Sequence, residues 1–235
     1  MKQILLLADA DELPDLTRLF WNTAPDARIQ GVSTRAELEA ATQSPGDDLR
    51  LVAFCTDIIV PAAVLARLPG PAYNVHPGPP WVRGIYPSVF ALYHGDDTFG
   101  ATLHEITNEI DSGPIVAIDE APITEGMDRL SLETLARSLV TNLLAGMALP
   151  LLTSDAPLPH LTGASWSGPS WTRKDFDDLC RLPDDVTADE WRRRHRAVGE
   201  GPNHALYMER FGRRFTLAPP EHAGPVVKGG RPVQS

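Results

Sequence analysis

Apolar positions follow two rhythms along this chain. Short unbroken runs, ILLLA at 4–8, RIQGVS at 28–33, LVAFC at 51–55 and AYNVH at 72–76, have the length and branched-residue content of strands. Between them the spacing changes to three and four, through LPDLTRLF, from Thr34 onward and through PAAVLARL, which marks amphipathic helices. Strand and helix taking turns over short connections predicts an α/β protein built on a doubly wound, mostly parallel sheet. A further helix is expected at 86–94, followed by GATLHEIT at 100–107 and PIVAIDEAPI at 114–123 as neighbouring strands joined by NEIDSG. A long helix runs from about Leu130 to Leu149, and Pro150, which has no N–H to give a helix interior, is expected to end it.

Beyond residue 150 the pattern thins. With 1–150 read as the principal domain, 151–170 reads as a linker. KDFDDLCRL and DEWRRRHRA read as two helices and LYMERFGRRFTLA as a hairpin, so 171–220 is expected to form a small helix-plus-hairpin appendage, with 221–235 a loose tail.

Composition narrows the function classes. A chain of 235 residues can bury a full core, and 43% apolar with 22% charged residues is ordinary for a soluble protein. The formal charge of −10 argues against broad nucleic-acid binding, which needs dense Lys and Arg. Cys55 and Cys180 form no CxxC spacing, so no zinc site or disulfide framework is expected. The opening apolar run is broken by Asp9, Asp11 and Glu12 too early for a signal peptide or a membrane span, and a cytoplasmic protein is expected. One segment opposes the overall charge: seven Arg and two Glu lie between 191 and 214. Arg192, Arg193, Arg194 and Arg196 make a solvated helix face on the plainest reading, and phosphate binding or a homodimer interface stays open.

The chemistry-bearing residues gather near YNVHPGPPWVRG at 73–84. In a strand, positions i and i+2 share a face, so Asn74 and His76 project together before Pro77 stops the run. In a parallel sheet this is a carboxyl end, where open α/β sheets bind ligands. The same period puts Thr102 and His104 together, and the loop beyond supplies Asp111 before Ser112 and Gly113. An Asn can donate to a developing oxyanion, a charged His can do the same, and a carboxylate can keep that His charged. Such a group suits acyl transfer without a covalent intermediate. Each residue also has a plainer reading: a hydrogen-bonded structural His76, a packed strand His104, a turn-capping Asp111. Trp81, Arg83, Tyr86 and Tyr93 are candidates for contacts to a second substrate, or else packing residues.

NVHPG at 74–78, RG at 83–84 with Pro87 three residues on, and GATLHEITNEIDSGPIV at 100–116 together resemble the 10-formyltetrahydrofolate-dependent formyltransferases. The matched motifs cover roughly 51–123. The resemblance implies a Rossmann-like fold, 10-formyltetrahydrofolate as formyl donor, no metal, and a catalytic group of Asn74, His76 and Asp111 with Thr102 and His104 in support. It also implies a pterin pocket lined by Thr56, Asp57, Ile58, Ile59 and Val60, with Ile110 beside Asp111. The family's usual HPS is HPG here, leaving Gly78 where a hydroxyl would be.

Departures from the pattern narrow the acceptor. The loop ADADELP after the first strand has no glycine and three acidic residues, so it lacks the phosphate-binding nest expected of a glycinamide ribonucleotide enzyme. The C-terminal unit is too small for the basic domain of a methionyl-tRNA enzyme. The ending resembles that of the small sugar N-formyltransferases, which implies a nucleotide-linked amino sugar as acceptor, its diphosphate met by Arg83 or by Arg193 of the basic helix. Two rivals remain: a hydrolase passing the same formyl group to water or a transferase for a different small amine, and an idle folate- or nucleotide-binding module.

Overall fold

The computed structural model describes residues 1–200 and 205–218. Its elements run β1 (Gln3–Leu7), α1 (Leu13–Thr23), β2 (Ile29–Val32), α2 (Arg35–Ala41), β3 (Leu49–Phe54), α3 (Ala62–Leu65) and β4 (Tyr73–His76). There follow β5 (Arg83–Gly84), α4 (Pro87–His94), β6 (Thr98–Glu105), β7 (Ile115–Pro122), α5 (Arg129–Thr153) and β8 (Ser170–Trp171). The chain continues through α6 (Arg173–Cys180), α7 (Ala188–Val198), β9 (Tyr207–Arg210) and β10 (Arg213–Thr216). The principal sheet has the order β2-β1-β3-β4-β6-β7. The four strands from β2 to β4 are parallel, as the alternating pattern predicts, and β6 and β7 add antiparallel to that edge.

Local sequence explains the elements. Thr34 starts α2 with a full capping box, its hydroxyl accepting from the Glu37 N–H while Glu37 reaches back to the Thr34 N–H. β1 and β3 are buried along both faces, which is why their runs are continuous rather than alternating. α5 is long and apolar enough to cross a membrane by length and composition alone. Here Leu132, Leu139, Leu144, Leu151 and Leu152 are buried, and the helix packs on α1, β6 and β7.

Two boundaries differ from the expectation. Pro150 does not end α5, which continues to Thr153. A proline inside a helix forfeits one hydrogen bond and crowds the preceding turn, and tertiary contacts override that cost here. The buried Arg50 guanidinium donates to the carbonyls of Leu151 at 2.6 Å and Ser154 at 2.9 Å, satisfying the end of the helix. Nor is 151–170 a linker. Leu151 and Leu152 belong to the core, and the segment beyond is pinned across the molecule. The Leu158 N–H donates to the Tyr73 hydroxyl at 2.9 Å, the Leu161 N–H to the Ile115 carbonyl at 2.8 Å and the Ser167 N–H to the Pro80 carbonyl at 3.0 Å.

The expected C-terminal helices and hairpin are present. They are less separate than the sequence implied, because Phe176, Leu179, Cys180, Ala197, Val198 and Leu206 join the same core as Leu132 and Phe90. The expected loose tail, 221–235, lies outside the described residues.

Candidate active site

Four polar side chains meet where β4 and β6 run side by side. The register pairs Asn74 with His104 and His76 with Thr102, and directly opposed residues of an antiparallel pair share a face, so the period of two brings all four together. Asn74 Nδ2 lies 3.1 Å from His104 Nε2. Asp111, carried by the loop between β6 and β7, sets Oδ1 3.4 Å from His104 Nε2 and Oδ2 3.4 Å from His76 Nδ1. The Thr102 hydroxyl donates to the Gly78 carbonyl at 2.8 Å, which fixes the turn after β4.

The loop holds Asp111 in the left-handed region, φ 44°, a conformation that Asp tolerates better than most residues. Arg83 secures it, donating from Nε to the Asp111 carbonyl at 2.7 Å and from Nη2 to the Ile110 carbonyl at 3.1 Å. The Gly84 N–H then donates to Asp111 Oδ2 at 2.8 Å. Arg83 therefore serves the loop that aims the carboxylate.

Burial dominates the electrostatics. His76 and His104 are each 3% exposed and Asp111 6%, while Asn74 is only half-buried and is the member open to a ligand. Burial alone would raise the Asp111 carboxyl. The contact with His104, the neighbouring His76 and the Gly84 N–H outweigh it and hold the group at about 2, ionised. At His76 burial wins, pushing the imidazole below the ordinary histidine range against the upward pulls of Asp111 and the Val82 carbonyl. Against the expectation that a carboxylate can keep His76 charged, Asp111 acts in the expected direction and desolvation is the larger influence. His76 Nε2 lies 2.9 Å from the Val82 carbonyl, so an added proton would find an acceptor at each nitrogen.

Gly78 has a steric reason. A Cβ there would sit 2.5 Å from His76 Nε2 and 2.9 Å from the Val82 carbonyl. Glycine is what lets the imidazole turn its second nitrogen toward that carbonyl.

The other predicted residues separate into two groups. Thr56 to Val60 follow β3, the strand beside β4; Thr56 accepts from the Ile58 N–H at 3.2 Å, Ile58 and Val60 pack inward, and Asp57 is exposed. Ile59 and Ile110 leave 65% and 52% of their surface open, Ile59 on the loop after β3 and Ile110 next to Asp111 on the loop between β6 and β7. The remaining candidates make packing contacts. Trp81 Nε1 donates to Asp96 at 3.1 Å, and the Tyr86 ring lies 4.2 Å from Phe176 with the Arg173 guanidinium over it. The Tyr93 hydroxyl donates to Glu190 at 2.9 Å, while Arg193 stacks 4.5 Å over the Tyr93 ring and pairs with Glu190. Tyr93 and Arg193 thus form the seam between α4 and α7. In this structure the charge of Arg193 is met by Glu190.

Sequence reading missed Trp166. Its indole edge packs against both histidines, with ring centroids 4.9 Å from His104 and 5.9 Å from His76. Its Nε1–H donates to the Gly113 carbonyl at 2.6 Å. Among the described residues no group of three or more His, Cys, Asp or Glu side chains is arranged to hold a metal ion.

A family model described as formyl transferase matches residues 22–145, a span that contains Asn74, His76, His104 and Asp111. The chain belongs to the formyl transferase family. This formyl transferase is 33% identical over 114 residues to the dTDP-4-amino-4,6-dideoxyglucose formyltransferase of Mycobacterium bovis, a match covering 46% of the chain and 45% of that relative. The matched region therefore spans less than half of the curated relative's length. Among solved structures, a sugar N-formyltransferase from Shewanella sp. superposes with a TM-score of 0.76 at 20% identity, covering 97% of the chain and 100% of its own. An N-formyltransferase from Helicobacter canadensis, solved with folinic acid and dTDP-3-aminofucose, gives 0.67 at 16% identity, covering 84% and 80%. At these identities the structures establish the shared fold.

Proposed function

We propose that this formyl transferase moves the formyl group of 10-formyltetrahydrofolate to the amine of a nucleotide-linked amino sugar. The observation that carries the reading is the convergence of Asn74, His76, His104 and Asp111 on one face of the β4–β6 pair, inside the matched family segment. In the reaction the amine nitrogen bonds to the formyl carbon, and the carbonyl electrons move onto oxygen. Asn74, the exposed donor, stabilises that oxyanion through its amide N–H. His76, neutral at rest, takes the amine proton through water and becomes an imidazolium between Asp111 and the Val82 carbonyl. As the oxyanion collapses, the bond to the folate nitrogen breaks, and that nitrogen takes up a proton. The apolar Ile59 and Ile110 suit the pterin side of the donor.

The amino-sugar acceptor draws support from the mycobacterial relative and from the Helicobacter complex, each of which handles a dTDP-linked amino sugar by its name. The test is incubation with 10-formyltetrahydrofolate and a panel of amines, free amino sugars and nucleotide-linked amino sugars, following tetrahydrofolate release and product mass. Formylation of a nucleotide-linked amino sugar in preference to its free sugar is the expected result. Formate release at an equal rate with no amine present would replace the transferase by a hydrolase.

A further inference from the structure

We infer that Trp166 is a positioning residue for the His76–His104–Asp111 group, the plug of a strap that keeps bulk solvent, as distinct from a single relay water, from the two imidazoles. The inference rests on the proposed transfer reaction only for its kinetic arm. Four anchors of the strap, which runs from residue 158 to 171, fall on segments that hold the site. The Leu158 N–H meets Tyr73, two positions from His76's neighbour Val75 on β4, and His160 Nε2 lies 3.1 Å from Glu105, the residue after His104. The Leu161 N–H meets Ile115, the register partner of His104. Ser170 and Trp171 pair as β8 with Arg83 and Gly84, the residues that aim Asp111. Trp166 lies between these anchors with its N–H fixed on Gly113, two residues past Asp111. Gly113 is itself irreplaceable by a larger residue, since a Cβ there would collide with the Glu105 carbonyl.

The indole is half-buried and stands in T-shaped contact with both imidazole rings. It is therefore the wall between bulk water and groups that are 3% exposed. Groups facing His76 from the surrounding elements are Asp111, His104 and Arg83, and His160 on the strap is occupied by Glu105. None of these charged groups is removed when Trp166 is shortened, and Phe and Ala both lose the Gly113 hydrogen bond, so the difference between the two variants isolates desolvation. Removing the wall admits water, relieves the burial that depresses His76 and moves its titration upward. The same opening gives water access to a bound formyl group.

The test compares wild type, Trp166→Phe and Trp166→Ala in the full chain. Histidine labelled at Cε1 reports the His76 titration by NMR, with no need of substrate. Trp166→Ala is expected to raise the His76 midpoint by about one unit, and Trp166→Phe, which keeps an aromatic wall, by less. With 10-formyltetrahydrofolate and no acceptor, formate release is expected to rise about tenfold in Trp166→Ala over wild type. An unmoved His76 midpoint in a folded Trp166→Ala protein overturns the inference, as does a midpoint that moves equally in the Phe variant. If Trp166→Ala fails to fold, an unshifted midpoint in Trp166→Leu overturns it in the same way. Failure of the proposed function reads differently: wild type formylates no amine, while the NMR shift is still observed.

Discussion

In the proposed reaction Asn74 is the residue through which a ligand first meets the group, because its partners are nearly sealed. Asn74→Ala is expected to lower kcat by about 100- to 1000-fold, the roughly 2.7–4 kcal/mol that one oxyanion donor supplies, with folate affinity little changed in equilibrium titration. Asp111→Asn tests the opposing influences on His76. Asp111 pulls His76 upward and burial pulls it down, so removing the carboxylate's charge leaves burial less opposed. Activity that needs a neutral His76 then extends to lower pH: the acidic limb of kcat/KM is expected to move down in Asp111→Asn, as the rate falls. A limb that moves up would mean that Asp111 does not face His76 as an anion. At this scale Asn74, His76, His104 and Asp111 were legible, since a strand's period of two and a short loop fix their meeting almost without tertiary information. The charge of His76 was not, because desolvation depends on what covers the residue, and Trp166 lies 90 positions away in a stretch with no periodicity. The partners of Arg83 and Arg193 in the fold, two loop carbonyls and Glu190, were not legible for the same reason: they are chosen by packing.

α5 shows how an element can outlast its own stop signal. Pro150 reads as a terminator, and the local physics of that reading is sound. What it omits is Arg50 on β3, whose guanidinium is 100 residues distant in sequence and collects the last carbonyls of the helix. A buried cation also brings a desolvation cost, visible in the downward push on Arg50 itself. Replacing it leaves those carbonyls without a donor. Arg50→Ala is expected to destabilise the protein by about 2–4 kcal/mol in urea unfolding, as for other lost hydrogen bonds to charged groups. Amides at Leu152 to Ser154 are expected to exchange faster in the variant, and unchanged protection there would assign the helix end to packing alone. Other boundaries were closer to their sequence signals. Thr34 and Glu37 start α2 through contacts three residues apart, which no tertiary structure is needed to predict.

On the scale of the molecule, the doubly wound half was readable from alternation alone, and β6 and β7 were readable as neighbours, whereas the antiparallel seating of β6 on β4 was not. The helices and hairpin expected at 171–220 are present, and what the sequence did not show is how closely they join the rest. α6 and α7 read as amphipathic helices able to form a unit of their own, yet their apolar residues complete the principal core. Deleting 171–218 is accordingly expected to leave no cooperatively folded catalytic domain, with a broadened or absent urea transition where the full chain shows one. A sharp transition and an intact near-ultraviolet spectrum in the deleted protein would restore the appendage to independence.

The strap also orders events in time. Asn74, His76, His104 and Asp111 all leave the ribosome well before Trp166, and the strap that closes over them ends in a strand, β8, that can pair only once β5 is in place. At roughly 5–20 residues per second, the nascent chain therefore spends some seconds with its reactive side chains made but open to solvent. During that interval the two imidazoles lack the indole that packs on them in the finished fold.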